Sequence, residues 1–117
     1  MTLEEAKLHA KRNIHNRPAT TGRLAGKIAI VTGAAQGFGY GIAKEMLKEG
    51  ASIVVADLNE PLAMQVAEEF GEHAMGVKVD VSSAESVEAM IIKTVERFGG
   101  LDIFLSNAEI AIAGSLD

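Results

Sequence analysis

Thr32-Gly33-Ala34-Ala35-Gln36-Gly37-Phe38-Gly39 sets three glycines between the apolar run Ile28 to Val31 and a helical pattern that begins near Tyr40. Glycines at that spacing let the backbone leave a buried strand, turn without a Cβ clash, and aim helix N-terminal amides at an anion. The chemistry this suits is phosphate binding, with a dinucleotide pyrophosphate as the anion. Gly33 makes the tight turn, while Gly37 and Gly39 let the pyrophosphate and the neighbouring strand approach the helix start. Asp57, followed by Leu58, ends the next apolar run. A carboxylate there accepts hydrogen bonds from the adenosine ribose hydroxyls. A 2′-phosphate would meet its negative charge, and Ala34, Ala35 and Gln36 offer no compensating cation, so NAD is expected rather than NADP.

These residues need strands and helices to hold them. Ile28 to Val31 reads as a short strand buried on both faces of a parallel sheet. In the segment Tyr40 to Glu49, Ile42, Ala43, Met46 and Leu47 share one helical face, and Gly50 supplies the C-terminal stop. Ile53 to Ala56 is a second buried strand. Asn59 caps the next helix, Pro61 sits in its first turn, Leu62, Val66 and Phe70 form its stripe, and Gly71 closes it. His73 to Val79 is a third strand, interrupted by Gly76 and ending at Asp80-Val81. Ser82 with Glu85 forms a capping box, and Val87, Ile91, Val95 and Phe98 repeat at helical spacing up to Gly99-Gly100. Leu101 to Leu105 is a fourth strand, with Ser106-Asn107-Ala108-Glu109 at its carboxyl end. Strands alternating with helices predict right-handed crossovers and an α/β fold. The expected architecture is a partial Rossmann fold, a doubly wound parallel sheet of order 3-2-1-4. A basic extension precedes it: Leu3 to Ile14 is expected as a solvated helix, and Asn16 to Gly26 as a linker. The division is then residues 1–23 as helical extension and linker, and 24–117 as an NAD(P)-binding Rossmann domain truncated after the fourth strand.

The spacing T-G-x-x-x-G-x-G from Thr32 to Gly39, the strand-end Asp57, Asp80-Val81 and Asn107-Ala108 resemble the short-chain dehydrogenase/reductase superfamily over Leu24 to Asp117. The resemblance implies hydride transfer between NAD and an alcohol/carbonyl substrate. It also implies that Asp80 hydrogen-bonds the adenine amino group, that Val81 contacts the ring, and that Asn107 and Ala108 border the adenosine ribose and stabilise the sheet. Two departures follow from the same comparison. The family commonly has N-N-A-G where this chain has Ser106 to Glu109, and the Glu109 carboxylate is expected to weaken NAD binding by bulk and like charge. The family's Ser-Tyr-Lys set, with a Y-x-x-x-K pair, lies beyond the fourth strand. Tyr40 and Lys44 match that spacing but fall in the helix after the glycine turn, so no catalytic residue is assigned and the chain alone is expected to be inactive.

Composition sets the remaining bounds. The 117 residues are 48% hydrophobic, enough for a packed core, and carry a formal net charge of -5 with no cysteine. Lys7, Lys11, Arg12, Arg17 and Arg23 are diluted by Glu4 and Glu5 with no aromatic among them, a poor nucleic-acid surface. No apolar run reaches the roughly 20 residues that cross a bilayer, so a cytoplasmic protein without membrane contact is expected. His9, His15 and His73 form no ligand cluster, so no metal is expected. The exposed apolar edge of the fourth strand predicts self-association into a homo-oligomer. The alternative function is a non-catalytic nucleotide-binding module that acts through a partner or within a bifunctional protein, and a substrate would be met only in a longer form.

Overall fold

Ile28, Ala29, Ile30, Val31 and Thr32 are all buried, as a central strand requires when helices cover both of its faces. The computed structural model, which describes residues 1–12 and 17–107, sets this run inside a four-stranded sheet. The elements are α1 (Leu3–Arg12), β1 (Ile28–Thr32), α2 (Gly37–Lys48), β2 (Ser52–Asp57), α3 (Glu60–Phe70), β3 (Ala74–Lys78), α4 (Ala84–Phe98) and β4 (Ile103–Ser106). The sheet is parallel with order β3-β2-β1-β4, as the alternation of strands and helices predicts. Ile30 pairs with Val54 on one side and Phe104 on the other.

Alternate residues of the central strands serve two cores. Ala29, Val31, Ile53 and Val55 pack with Ala43 of α2 and Ala63, Val66 and Ala67 of α3. Ile28, Ile30, Val54 and Ala56 pack on the opposite face with Met90 and Phe98 of α4. The strands therefore read as unbroken apolar runs, since neither face meets water. Gly76 does not interrupt β3. A Cβ there would lie 2.7 Å from the Ala63 carbonyl oxygen, so the glycine lets α3 settle close to the sheet.

Three local expectations are corrected. Ser83, not Ser82, caps α4, its hydroxyl accepting from the Ser86 amide at 3.2 Å. Ser82 is drawn to the stronger acceptor, donating from both its amide (3.0 Å) and its hydroxyl (2.6 Å) to Asp80 Oδ1. The fourth strand begins at Ile103 rather than Leu101, because Asp102 Oδ2 accepts from the Ile28 amide at 2.9 Å and from Arg17 Nη1 at 2.6 Å.

The third correction concerns the extension. Residues 17–26 are fastened to the sheet's amino-terminal end by the Arg17–Asp102 pair, by the Leu24 amide on the Glu49 carbonyl (2.6 Å), and by Arg23 Nε on Glu49 Oε2 (2.7 Å). Helix α1 packs against α4 and buries Ala6, so it is not a solvated helix. Burial of one small residue leaves most of its face polar, which is why its sequence reads as solvated.

Candidate cofactor site

The carboxyl ends of β1, β2 and β3, with the residue after β4, converge on the glycine turn. Gly33 (φ 65°) and Gly37 (φ 64°) take left-handed conformations that a side chain would oppose. Gln36 occupies the N-cap position of α2 in an extended conformation and makes no side-chain cap bond. Helices α3 and α4 are capped by Asn59 and Ser83, so α2 differs from both: its first amides receive no side-chain acceptor, and its first turn holds no acid. Uncapped amides and the positive end of a helix dipole are the features that suit a helix start to an anion. A Cβ at Gly39 would fall on the Gly33 carbonyl and lie 2.9 Å from Asn107 Nδ2, whereas one at Gly37 would meet nothing within 4 Å. The turn is closed on its inner side and open outward.

Asp57 spans two loops. Its Oδ2 accepts from the Ala35 amide at 3.2 Å and its Oδ1 from the Asn59 amide at 3.1 Å. A carboxylate has about four lone-pair positions, so acceptor capacity remains for hydroxyl groups. Asn107 Nδ2 reaches the Gly33 carbonyl at 3.4 Å and ties the end of β4 to the turn. Thr32, wholly buried, sets its hydroxyl 3.5 Å from the Leu105 carbonyl, a long contact between the same two strands.

Thr32, Gly33, Asp57, Leu58, Val79 and Val81 line a cleft of about 90 Å³. Leu58 and Val81 are exposed aliphatic side chains at its mouth, suited to a flat ring between them. Asp80 stands beside it, and the Ser82 hydroxyl and amide hold its carboxyl below the ordinary aspartate value. Val79 is a wall residue that sequence reasoning did not single out, although its place at the end of the third apolar run was a usable signal. Phe38 and Gln36 are exposed at the start of α2. Ala108 and Glu109 lie outside the described residues.

A larger cleft, about 380 Å³, is lined by Arg17, Pro18, Glu72, His73, Arg97 and Phe98. Arg17 and His73 precede β1 and β3, which puts it at the amino ends of the strands, away from the glycine turn. In open α/β sheets ligands bind outside the carboxyl ends, so the smaller cleft is the candidate site.

Tyr40 and Lys44 are engaged elsewhere. The Tyr40 hydroxyl donates to the Glu69 carboxylate, its ring lies 5.7 Å from that of Phe70, and Lys44 Nζ is 5.8 Å from its centroid. The Glu69 bond raises the Tyr40 pKa, the wrong direction for a proton acceptor. Tyr40 thus fastens α2 to α3, with Lys44 over its ring from the same helix. Among the described residues no group of three His, Cys, Asp or Glu could hold a metal ion, and no helix is long and apolar enough to cross a membrane.

The sequence pattern of the short chain dehydrogenases matches residues 27–116. The chain belongs to the short chain dehydrogenase family. It is 39% identical over 97 residues to the 3-beta-hydroxysteroid dehydrogenase of Comamonas testosteroni, covering 83% of this chain and 38% of that protein. It is 40% identical over 88 residues to the galactitol 2-dehydrogenase of Agrobacterium fabrum, covering 75% of this chain and 34% of that one. Among solved structures, the 3-ketoacyl-(acyl-carrier-protein) reductase of Brucella melitensis complexed with NADH superposes with a TM-score of 0.67 at 41% identity, over 69% of this chain and 34% of that one. The hydroxysteroid dehydrogenase of Escherichia coli does so with a TM-score of 0.68 at 34% identity, over 72% and 37%. This short chain dehydrogenase sequence thus spans less than two-fifths of the length of each of these four proteins.

Proposed function

We propose that the chain binds NAD and forms the cofactor-holding part of an oxidoreductase that moves hydride between NAD and an alcohol/carbonyl pair. The observation that carries this reading is the uncapped, acid-free start of α2 next to a strand-end carboxylate, Asp57, that is bonded to the same turn. In this reading the amides of Gly37, Phe38 and Gly39 hold the pyrophosphate, and Asp57 accepts from the adenosine ribose hydroxyls. Leu58, Val79 and Val81 flank the adenine, Asp80 meets its amino group, and Asn107 and Ala108 border the ribose. NAD, when bound, supplies the hydride acceptor. The chain's residues bind and orient, with residues 24–117 as the binding domain and 1–23 as an extension.

The Brucella neighbour's complex with NADH supports the cofactor class. The steroid and sugar-alcohol names among the relatives support a hydroxyl/carbonyl substrate without narrowing it further. Tyr40, the one tyrosine, is bonded to Glu69, so the 117 residues alone are expected to bind NAD without turnover.

Calorimetric titration tests the reading. NAD is expected to bind and NADP to bind at least about tenfold more weakly, since a hydrogen bond to a charged group is worth about 1.5–3 kcal/mol and a 2′-phosphate would replace it with repulsion. Asp57→Asn should weaken NAD about tenfold and narrow the difference between the two nucleotides. Tighter binding of NADP by the unaltered chain would overturn the assignment.

A further inference from the structure

Helix α2 begins with a soft turn. Gly37, Gly39 and Gly41 are three of its first five residues, and glycine gives up more backbone freedom on entering a helix than any other residue. Gln36 adds no side-chain cap, and no acid in the turn meets the helix dipole. The absences that suit this end to an anion also leave it poorly held.

The five residues Gly37 to Gly41 carry two side chains. Phe38 is 74% exposed. Tyr40 is half-buried and packs against the core that α2 and α3 share. Its ring lies 5.7 Å from that of Phe70 and its hydroxyl donates to the Glu69 carboxylate, and these are the last two residues of α3. Helix α3 is itself well seated, with Ala63, Val66 and Ala67 buried in that core and Asn59 capping its start. The next buried side chain of α2, Ala43, comes almost a turn later. Without Tyr40 the first turn would keep only the close approach of Gly39 to the Gly33 carbonyl.

We propose that Tyr40 is a positioning residue for the nucleotide: held by Glu69 and Phe70, it fixes the first turn of α2 so that the amides there stay aimed at the pyrophosphate. It touches no reacting atom. The role rests on the reading of the glycine turn as an NAD site. A turn ordered in advance spares the nucleotide the entropy of ordering it, so the Tyr40 contacts act on affinity from outside the site.

Three variants, Tyr40→Phe, Glu69→Ala and Glu69→Gln, test the role by calorimetric titration of NAD, urea unfolding and amide hydrogen exchange. Tyr40→Phe and Glu69→Ala should each weaken NAD about threefold, the effect of losing one exposed hydrogen bond, and the double variant should be no weaker than either alone. Removing the Glu69 charge would by itself favour an anionic ligand, so weaker binding by Glu69→Ala reports the lost contact. Glu69→Gln keeps an acceptor for the Tyr40 hydroxyl and should recover most of the affinity that Glu69→Ala loses. Urea midpoints should stay close to that of the unaltered chain, because Glu69 is exposed and no buried group is left unpaired. The amides of residues 41–44, which bond the carbonyls of the first turn, should exchange at least about threefold faster in nucleotide-free Tyr40→Phe. If the unaltered chain binds NAD and both single variants bind it equally well, the role is overturned. If the unaltered chain binds no NAD, the proposed function falls, and unchanged exchange of residues 41–44 in Tyr40→Phe would overturn the ordering of the turn as well.

Discussion

Gly39 is where a single atom decides the site. A Cβ there meets backbone, the Gly33 carbonyl, rather than a side chain that could swing aside. Gly39→Ala is expected to destabilise the chain by about 1–3 kcal/mol, the usual cost of overpacking, and to remove NAD binding. Urea unfolding and calorimetry together check this; a stable variant with unchanged affinity would show that the turn adapts. Asp80 gives a pH-dependent counterpart. The Ser82 hydroxyl and amide lower its folded-state pKa, so the associated stability is present above the ordinary aspartate value and is lost as pH falls through the folded value. The stability difference between the unaltered chain and Ser82→Ala should therefore be full at neutral pH and shrink below about pH 4. Urea midpoints measured at both ends of that range decide it, and a difference that persists in acid would contradict the assignment.

At the scale of elements, the segment from Arg17 to Gly26 behaves as part of the sheet. Asp102 Oδ2 receives both Arg17 Nη1 and the Ile28 amide, joining the extension, β1 and the entry to β4 at one atom. Both side chains of the ion pair are largely shielded, at 19% and 24% exposure. Asp102→Ala leaves a strand amide and a guanidinium without their acceptor and is expected to cost about 1–3 kcal/mol, read from denaturant unfolding. A loss within experimental error of zero would reduce the clamp to a surface contact. The glycine turn, the strand-end acid and the helix periods were all legible from residue types, because each rests on a local rule. The clamp was not: Arg17 and Asp102 are 85 positions apart, and nothing near either residue marks its partner.

For the whole molecule, β4 pairs with β1 alone among the described residues, and Phe104 is exposed on the α4 face of the sheet. An apolar strand edge of this kind templates association. Light scattering should show concentration-dependent self-association that Phe104→Lys reduces; a strictly monomeric species at high concentration would count against it.

The sequence by itself determined the α/β class, the strand order 3-2-1-4 and the place of the glycine turn, since apolar period and glycine spacing can be read along the chain. Tertiary structure decided which serine caps α4, where β4 begins, that the Asp57 carboxylate reaches the Ala35 amide, and that α1 rests on α4. Each of these is a choice among competing partners, some near in sequence and some distant, that the folded chain settles. Ser82 could have served the helix, but Asp80, two residues before it, offered its hydroxyl a charged acceptor. Composition shows that such groups exist; only the folded chain sets the distances that choose between them.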